Sequence, residues 1–244
     1  MVSGRIAARL RKLREGVGNG EGGRAPVLSP VRGSHPTVLV RIGTSDPDVF
    51  MQVFGTLDYG PIPDSVAPGL IIDCGANAGY ASVSLLERYP NAEVIAVEPD
   101  PGNAAIARQN LAPYADRATL VEAAIWSRSV DLRVLRGSFG DGREWSFQVA
   151  ECPPHVTPDV AGIGLADLID GRTVELLKID IERGEIELFG GSCPWLALVR
   201  NIVIELHDDE CSEVFHRALS GYSYEEFSAG QLTFCCNLRP RETG

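Results

Sequence analysis

Residues 70–101 read LIIDCGANAGYASVSLLERYPNAEVIAVEPDP. An apolar run, LIIDC, breaks into the turn Gly75-Ala76-Asn77-Ala78-Gly79. Helical spacing follows across YASVSLLERY, and a second apolar run closes on Glu98 and Pro99. Short apolar runs joined by a helix predict a βαβ unit with two parallel strands. In open sheets of this kind ligands sit beyond the carboxyl ends of the strands. Glycines at 75 and 79 let the backbone approach a ligand closely. Glu98 follows Gly75 by 23 residues, at the tip of the next strand, where it is placed to accept hydrogen bonds from two ribose hydroxyls.

Two ligands share that geometry. A dinucleotide sets its pyrophosphate on the helix N-terminus and favours G-x-G-x-x-G. Here the spacing is G-x-x-x-G, without the tight first pair. S-adenosylmethionine has no pyrophosphate, and its zwitterionic methionine end suits the D-x-G-x-N-x-G of Asp73, Gly75, Asn77 and Gly79. Tyr80, which opens the helix, and Pro99, which follows the acid, join the candidate donor shell. Ala123 and Ala124 in LVEAAIW leave space for a flat adenine ring. A nicotinamide-dependent oxidoreductase and a non-catalytic ligand-binding module are the competing readings.

The alternation extends outward from this stretch. TVLVRIG, ATLVEAAIW, VELLKIDIE and RNIVIELHDD read as strands; PDVFMQVFGTL, GNAAIARQNL, ADLID and segments near 184–190 and 209–220 read as helices. SVDLRVLRG and REWSFQVAE read as a hairpin across Gly140-Asp141-Gly142, ECPPHVTPDVAGIG as turns, and YSYEEFS with QLTFCCNL as a closing pair. The pattern predicts an α/β fold with a parallel sheet covered on both faces. Residues 1–36 are read as a basic helix followed by a Gly/Pro-rich linker, and residues 37–244 as a single catalytic domain.

Composition narrows the partners. The chain has 244 residues, 44% of them hydrophobic, enough for a substantial core. Its net charge of −11 argues against a nucleic-acid or anionic-membrane partner and for a small molecule. No apolar stretch is long enough to span a bilayer. The basic N-terminal segment lacks the apolar region of a secretory signal and is read as a surface helix or a homo-oligomer contact. Six cysteines without a C-x-x-C pair suggest buried thiols in a reducing cytosol, hence a cytoplasmic chain without a zinc site.

A second chemical cluster lies in LLKIDIERGEIELFGG (176–191) and NIVIELHDDE (201–210). Residues 178, 180 and 182 share one strand face, as do Glu205 and His207. Three charges on an otherwise apolar strand belong at or beyond its exposed end. Neighbouring strand ends lie about 5 Å apart, so Asp180 and Glu205 are expected to flank one point with His207 beside them. Carboxylates with an imidazole are able to hold a divalent cation that orients a hydroxyl, Mg²⁺ on Asp180 and Glu205 being the version considered. The alternative makes His207 a general base.

IIDCGANAGYAS, VIAVEPDP, Asn110-Leu111, LVEAAIWS, LLKIDIERGEIELFGG and IVIELH together resemble the FkbM family of S-adenosylmethionine-dependent methyltransferases, over residues 70–207. Arg183 stands where that family's pattern has a glycine, a position that permits positive φ. The resemblance implies a class I methyltransferase fold: a Rossmann-like three-layer sandwich with a mostly parallel seven-stranded sheet and an antiparallel last strand. It also implies O-methylation of a hydroxyl on a sugar or specialised metabolite, with Gly75, Asn77, Gly79 and Glu98 as donor-binding positions.

Overall fold

A computed structural model describes residues 27–31, 37–136 and 143–242. The expected basic helix and the tip of the 140–142 turn lie outside the described residues. Val27–Val31 (β1) pairs antiparallel with Val38–Ile42 (β2), so the latter part of the expected linker is a strand. Pro30 is tolerated there because β1 lies at the edge of this two-stranded sheet.

The central sheet has seven strands: Leu70–Cys74 (β3), Glu93–Val97 (β4), Ala118–Val121 (β5), Leu176–Ile179 (β10), Ile202–Glu205 (β11), Tyr222–Ala229 (β12) and Leu232–Pro240 (β13). Their spatial order is β12-β13-β11-β10-β3-β4-β5. β3, β4, β5, β10 and β11 run parallel, and β13 lies antiparallel to both β11 and β12. This is the sheet expected from the sequence.

Strand periodicity of two divides the core into two layers. Ile71 packs on one face with Leu85 and Leu86 of helix Tyr80–Arg88 (α2) and Ile106 of helix Pro101–Leu111 (α3). Leu70 and Ile72 pack on the other face with Phe189 of helix Glu185–Gly190 (α5) and Phe215 of helix Asp209–Ala218 (α6). Helix Asp46–Phe50 (α1) and a following π-helical turn, Met51–Thr56, close one side, and helix Leu165–Ile169 (α4) follows the last strand of the smaller sheet.

ATLVEAAIW is not one strand. It breaks at Glu122-Ala123, and Ala124–Trp126 (β6) joins a separate four-stranded sheet with Val130–Leu135 (β7), Gln148–Glu151 (β8) and Val160–Gly164 (β9), in the order β6-β9-β7-β8. The β7–β8 hairpin was expected, whereas β9 falls in the stretch read as turns. The six cysteines are free thiols, and no helix among the described residues is long and apolar enough to cross a membrane.

Candidate active site

The loop after β3 has left-handed residues at alternate positions: φ is 81° at Gly75, 50° at Asn77 and 82° at Gly79. A Cβ at Gly75 would lie 1.8 Å from the Asp180 carbonyl oxygen. Glycine is required there, and the loop rests directly on the end of β10. The N–H groups of Gly75 and Ala76 donate to the Val97 carbonyl at 3.0 and 2.9 Å, joining the loop to β4.

Glu98 stands at the tip of β4, buried at 5% exposure. Its Oε2 accepts from the Asn77 N–H at 2.8 Å; its Oε1 accepts from the Asp100 N–H at 2.9 Å and from Asn103 Nδ2 at 3.3 Å. A carboxylate offers about four lone-pair positions, so one remains, on Oε2. Burial pushes the Glu98 carboxyl up to about 7, against the opposing pull of those hydrogen bonds.

A cavity of about 440 Å³ opens at these strand ends. Gly75, Asn77, Tyr80, Glu98, Pro99 and Ala124 line one part, and Asp180, Glu205 and His207 line another. Asp73, Gly79 and Ala123 are not in the lining. Asp73 is fully buried beneath the loop, where it accepts from Ser82 Oγ at 2.6 Å and pairs with Lys178 Nζ at 2.9 Å. Gly79 turns the chain into α2 against Ala107, and Ala123 is buried at the β5–β6 break. These three shape the site from behind. Tyr80 touches the cavity, but its hydroxyl donates to the Leu39 carbonyl and Asp46.

Sequence spacing placed Lys178 at the exposed strand end with Asp180. It is instead buried within β10, opposite Asp73 in the strand register, and its ammonium also donates to the Gly75 carbonyl at 2.7 Å. An acid on the adjacent strand is what allows the charge inside. Tyr59 and Trp145 also line the cavity.

Asp180, Glu205 and His207 come together as expected, with two further acids. Glu182 and Arg183 adopt φ of 52° and 71°, turning the chain sharply after β10. Arg183 thus takes the left-handed geometry that glycine would favour, and pairs with Asp208 at 2.7 Å and Glu210 at 2.9 Å. The turn brings Glu182 Oε2 to 3.5 Å from His207 Nε2; Asp180 Oδ1 lies 3.7 Å from the same nitrogen, and Glu185 Oε1 3.2 Å from Nδ1. Strand alternation put Glu182 on the right face but gave no sign of this turn, and Glu185 reads in sequence as an ordinary first-turn helix acid.

Burial alone would lower the His207 imidazole, but Glu182 and Glu185, with Asp180, outweigh it and hold the ring up at about 11. An imidazolium cannot take a proton from a hydroxyl, so the general-base role expected for His207 does not fit the cluster as it stands. Burial, reinforced by Asp180, raises Glu205 to about 7. The metal-capable set also differs: Asp180, Glu182 and His207 each offer a donor atom within 4.8 Å of the others, and Glu205 is outside that set.

The cavity is open rather than blocked, as a non-catalytic module would have required, and the loop keeps G-x-x-x-G spacing instead of the dinucleotide turn. A family model described as the methyltransferase FkbM domain matches residues 73–228. The 2-O-methyltransferase NoeI of Sinorhizobium fredii (strain NBRC 101917 / NGR234) is 29% identical over 191 residues, covering 71% of this chain and 75% of that protein. The crystal structure of methyltransferase FkbM from Methylobacillus flagellatus KT superposes with a TM-score of 0.52 at 15% identity, over 76% of this chain. This chain spans 47% of that crystallised chain. With a family model matched over more than half its length, the chain belongs to the FkbM family of S-adenosylmethionine-dependent methyltransferases.

Proposed function

We propose that the chain transfers a methyl group to a hydroxyl oxygen of an uncharged small molecule, a sugar or specialised metabolite. The observation that carries this reading is the seating of Gly75 against the Asp180 carbonyl, which sets the G-x-x-x-G loop and an acid cluster on one cavity. Three features suit the methyl donor: the missing Cβ at Gly75, the remaining lone pair on Glu98 Oε2, and Asn77 Oδ1, which is buried without a hydrogen-bond partner.

The bound donor supplies an electrophilic methyl carbon on a positively charged sulfur. Glu98 holds the ribose of the adenosyl end, Asn77 holds the methionine end, and the walls of the cavity exclude water. Asp180 orients the acceptor hydroxyl so that its oxygen attacks in line. Glu205, on the cavity wall, receives the hydroxyl proton as the new O–C bond forms and the C–S bond breaks. Asp180, Glu182 and Glu205 make the acceptor end acidic, which disfavours phosphorylated or carboxylated acceptors. A magnesium form, with Asp180 and Glu205 as carboxylate ligands, is the alternative in which Glu205 is not the base; turnover unchanged by EDTA sets that form aside.

The test supplies the purified protein with methyl-labelled donor and a panel of neutral glycosides, their phosphorylated counterparts and phenols. Label should appear on a neutral hydroxyl compound and fall by about 10²-fold or more in Glu205→Gln. Calorimetry showing no binding of S-adenosylhomocysteine, with Glu98→Ala behaving like the parent, overturns the reading.

A further inference from the structure

We infer that Asp180, Glu182 and His207 bind one divalent transition-metal ion of the manganese, iron or cobalt kind at the acceptor end of the cavity. This deepens the methyltransferase reading by adding a resident ion beside the acceptor, but the ion's binding is measurable without turnover.

The three side chains meet from two strand ends and the left-handed turn after β10, with one donor atom of each within 4.8 Å of the others. Two carboxylate oxygens and one imidazole nitrogen form a mixed donor set. First-row transition ions accept such a set with positions left open, whereas magnesium strongly favours oxygen alone.

A second observation concerns the imidazole itself. The His207 side chain is 9% exposed and faces the cluster, with its carboxylate neighbours at 3.2 Å or more. Nδ1 is buried without a hydrogen bond, with Glu185 Oε1 3.2 Å away. Nε2 is 3.5 Å from Glu182 and 3.7 Å from Asp180, beyond a well-formed hydrogen bond. A buried polar ring held this way is costly, and an ion between the three side chains replaces the two long contacts on Nε2 with coordinate bonds. Glu185, fully buried beside Nδ1, then serves as the outer carboxylate that fixes the ring.

Among the described residues, the nearby cations do not fill this place. Arg183 pairs outward with Asp208 and Glu210, and Lys178 is committed to Asp73 and the Gly75 carbonyl, 3.9 Å from Asp180. Glu205 stays outside the donor set and faces the cavity, free to act on an acceptor.

Metal-stripped full-length protein titrated with Mn²⁺, with free ion followed by electron paramagnetic resonance, tests the inference. One Mn²⁺ should bind per chain. His207→Ala and Glu182→Gln should each weaken binding by about tenfold or more. Glu205→Gln should change it by less than about threefold, because that residue is not a ligand, and magnesium in about hundredfold excess should fail to displace the ion. Glu182 is only partly buried, so its variant stands as an independent arm if His207→Ala does not fold. Mn²⁺ that does not bind, or binds the parent no tighter than the ligand variants, overturns the site and leaves His207 as an imidazolium tying the acids together. S-adenosylhomocysteine binding is measured on the same preparations. Its loss would strike the methyl-donor reading, while the manganese result stands or falls separately.

Discussion

Glu98 is held by three donors and still sits well above an ordinary carboxylate, because burial outweighs them. Its folded value, about 7, exceeds the 4.5 of an exposed glutamate, so the native state keeps the proton longer than the unfolded chain. The contribution to stability is therefore fully present below 4.5, is lost as pH rises towards 7, and is level above that. At about 1.4 kcal/mol for each pH unit the loss is on the order of 3 kcal/mol. Glu98→Gln should flatten that slope, which urea midpoints on either side of the window will report. A second residue-scale prediction concerns glycine. Gly75→Ala meets both a positive φ, costing about 1–2 kcal/mol, and the Asp180 carbonyl at 1.8 Å. Gly171→Ala has a similar φ of 70° with nothing within 4 Å. Thermal unfolding should show the first variant far less stable than the second, and calorimetry should show only the first losing donor-product affinity.

Elements hold the site through a few buried polar ties. Arg41 of β2 forms a two-pronged contact with Asp46 of α1 at 2.7 and 2.9 Å and donates to Asn103 of α3 at 2.7 Å, while Tyr80 of α2 also reaches Asp46. Asp46 is fully buried. Arg41→Met should therefore cost about 3–5 kcal/mol by stranding that charge, and Arg41→Met with Asp46→Asn should recover much of it; chemical denaturation of both variants decides. What was legible at this scale followed from local pattern. β3, β4, β10 and β11 are bounded apolar runs, and their carboxyl-end acids could be read by counting in twos. The break at Glu122-Ala123 was not legible, because ATLVEAAIW is one continuous run and only three-dimensional pairing splits it. β9 hid because VAGIG places Gly162 and Gly164 inside a strand, where glycine ordinarily marks a turn. Lys178 misled because its neutralising partner, Asp73, lies about a hundred residues away in sequence.

At the scale of the whole molecule, the mostly parallel seven-stranded sheet with its antiparallel last strand follows the family resemblance, whereas the second sheet and the pairing of β1 required the fold. The donor reading makes a global prediction. S-adenosylhomocysteine at about 100 times its Kd should add about 2.7 kcal/mol of stability, a rise of roughly 5–10 °C in Tm for a chain of this size. NAD⁺ at matched concentration should leave the melting curve unmoved, and an equal response to both would undo the assignment.

The contact between Gly75 and the Asp180 carbonyl carries a lesson for anyone who would re-engineer this protein. A bulkier loop, built to recruit another nucleotide, would have to push aside the backbone that carries Asp180. Helper molecule and reaction are inherited as one mechanical part, and selection for a new partner on one side should surface as compensating substitutions on the other.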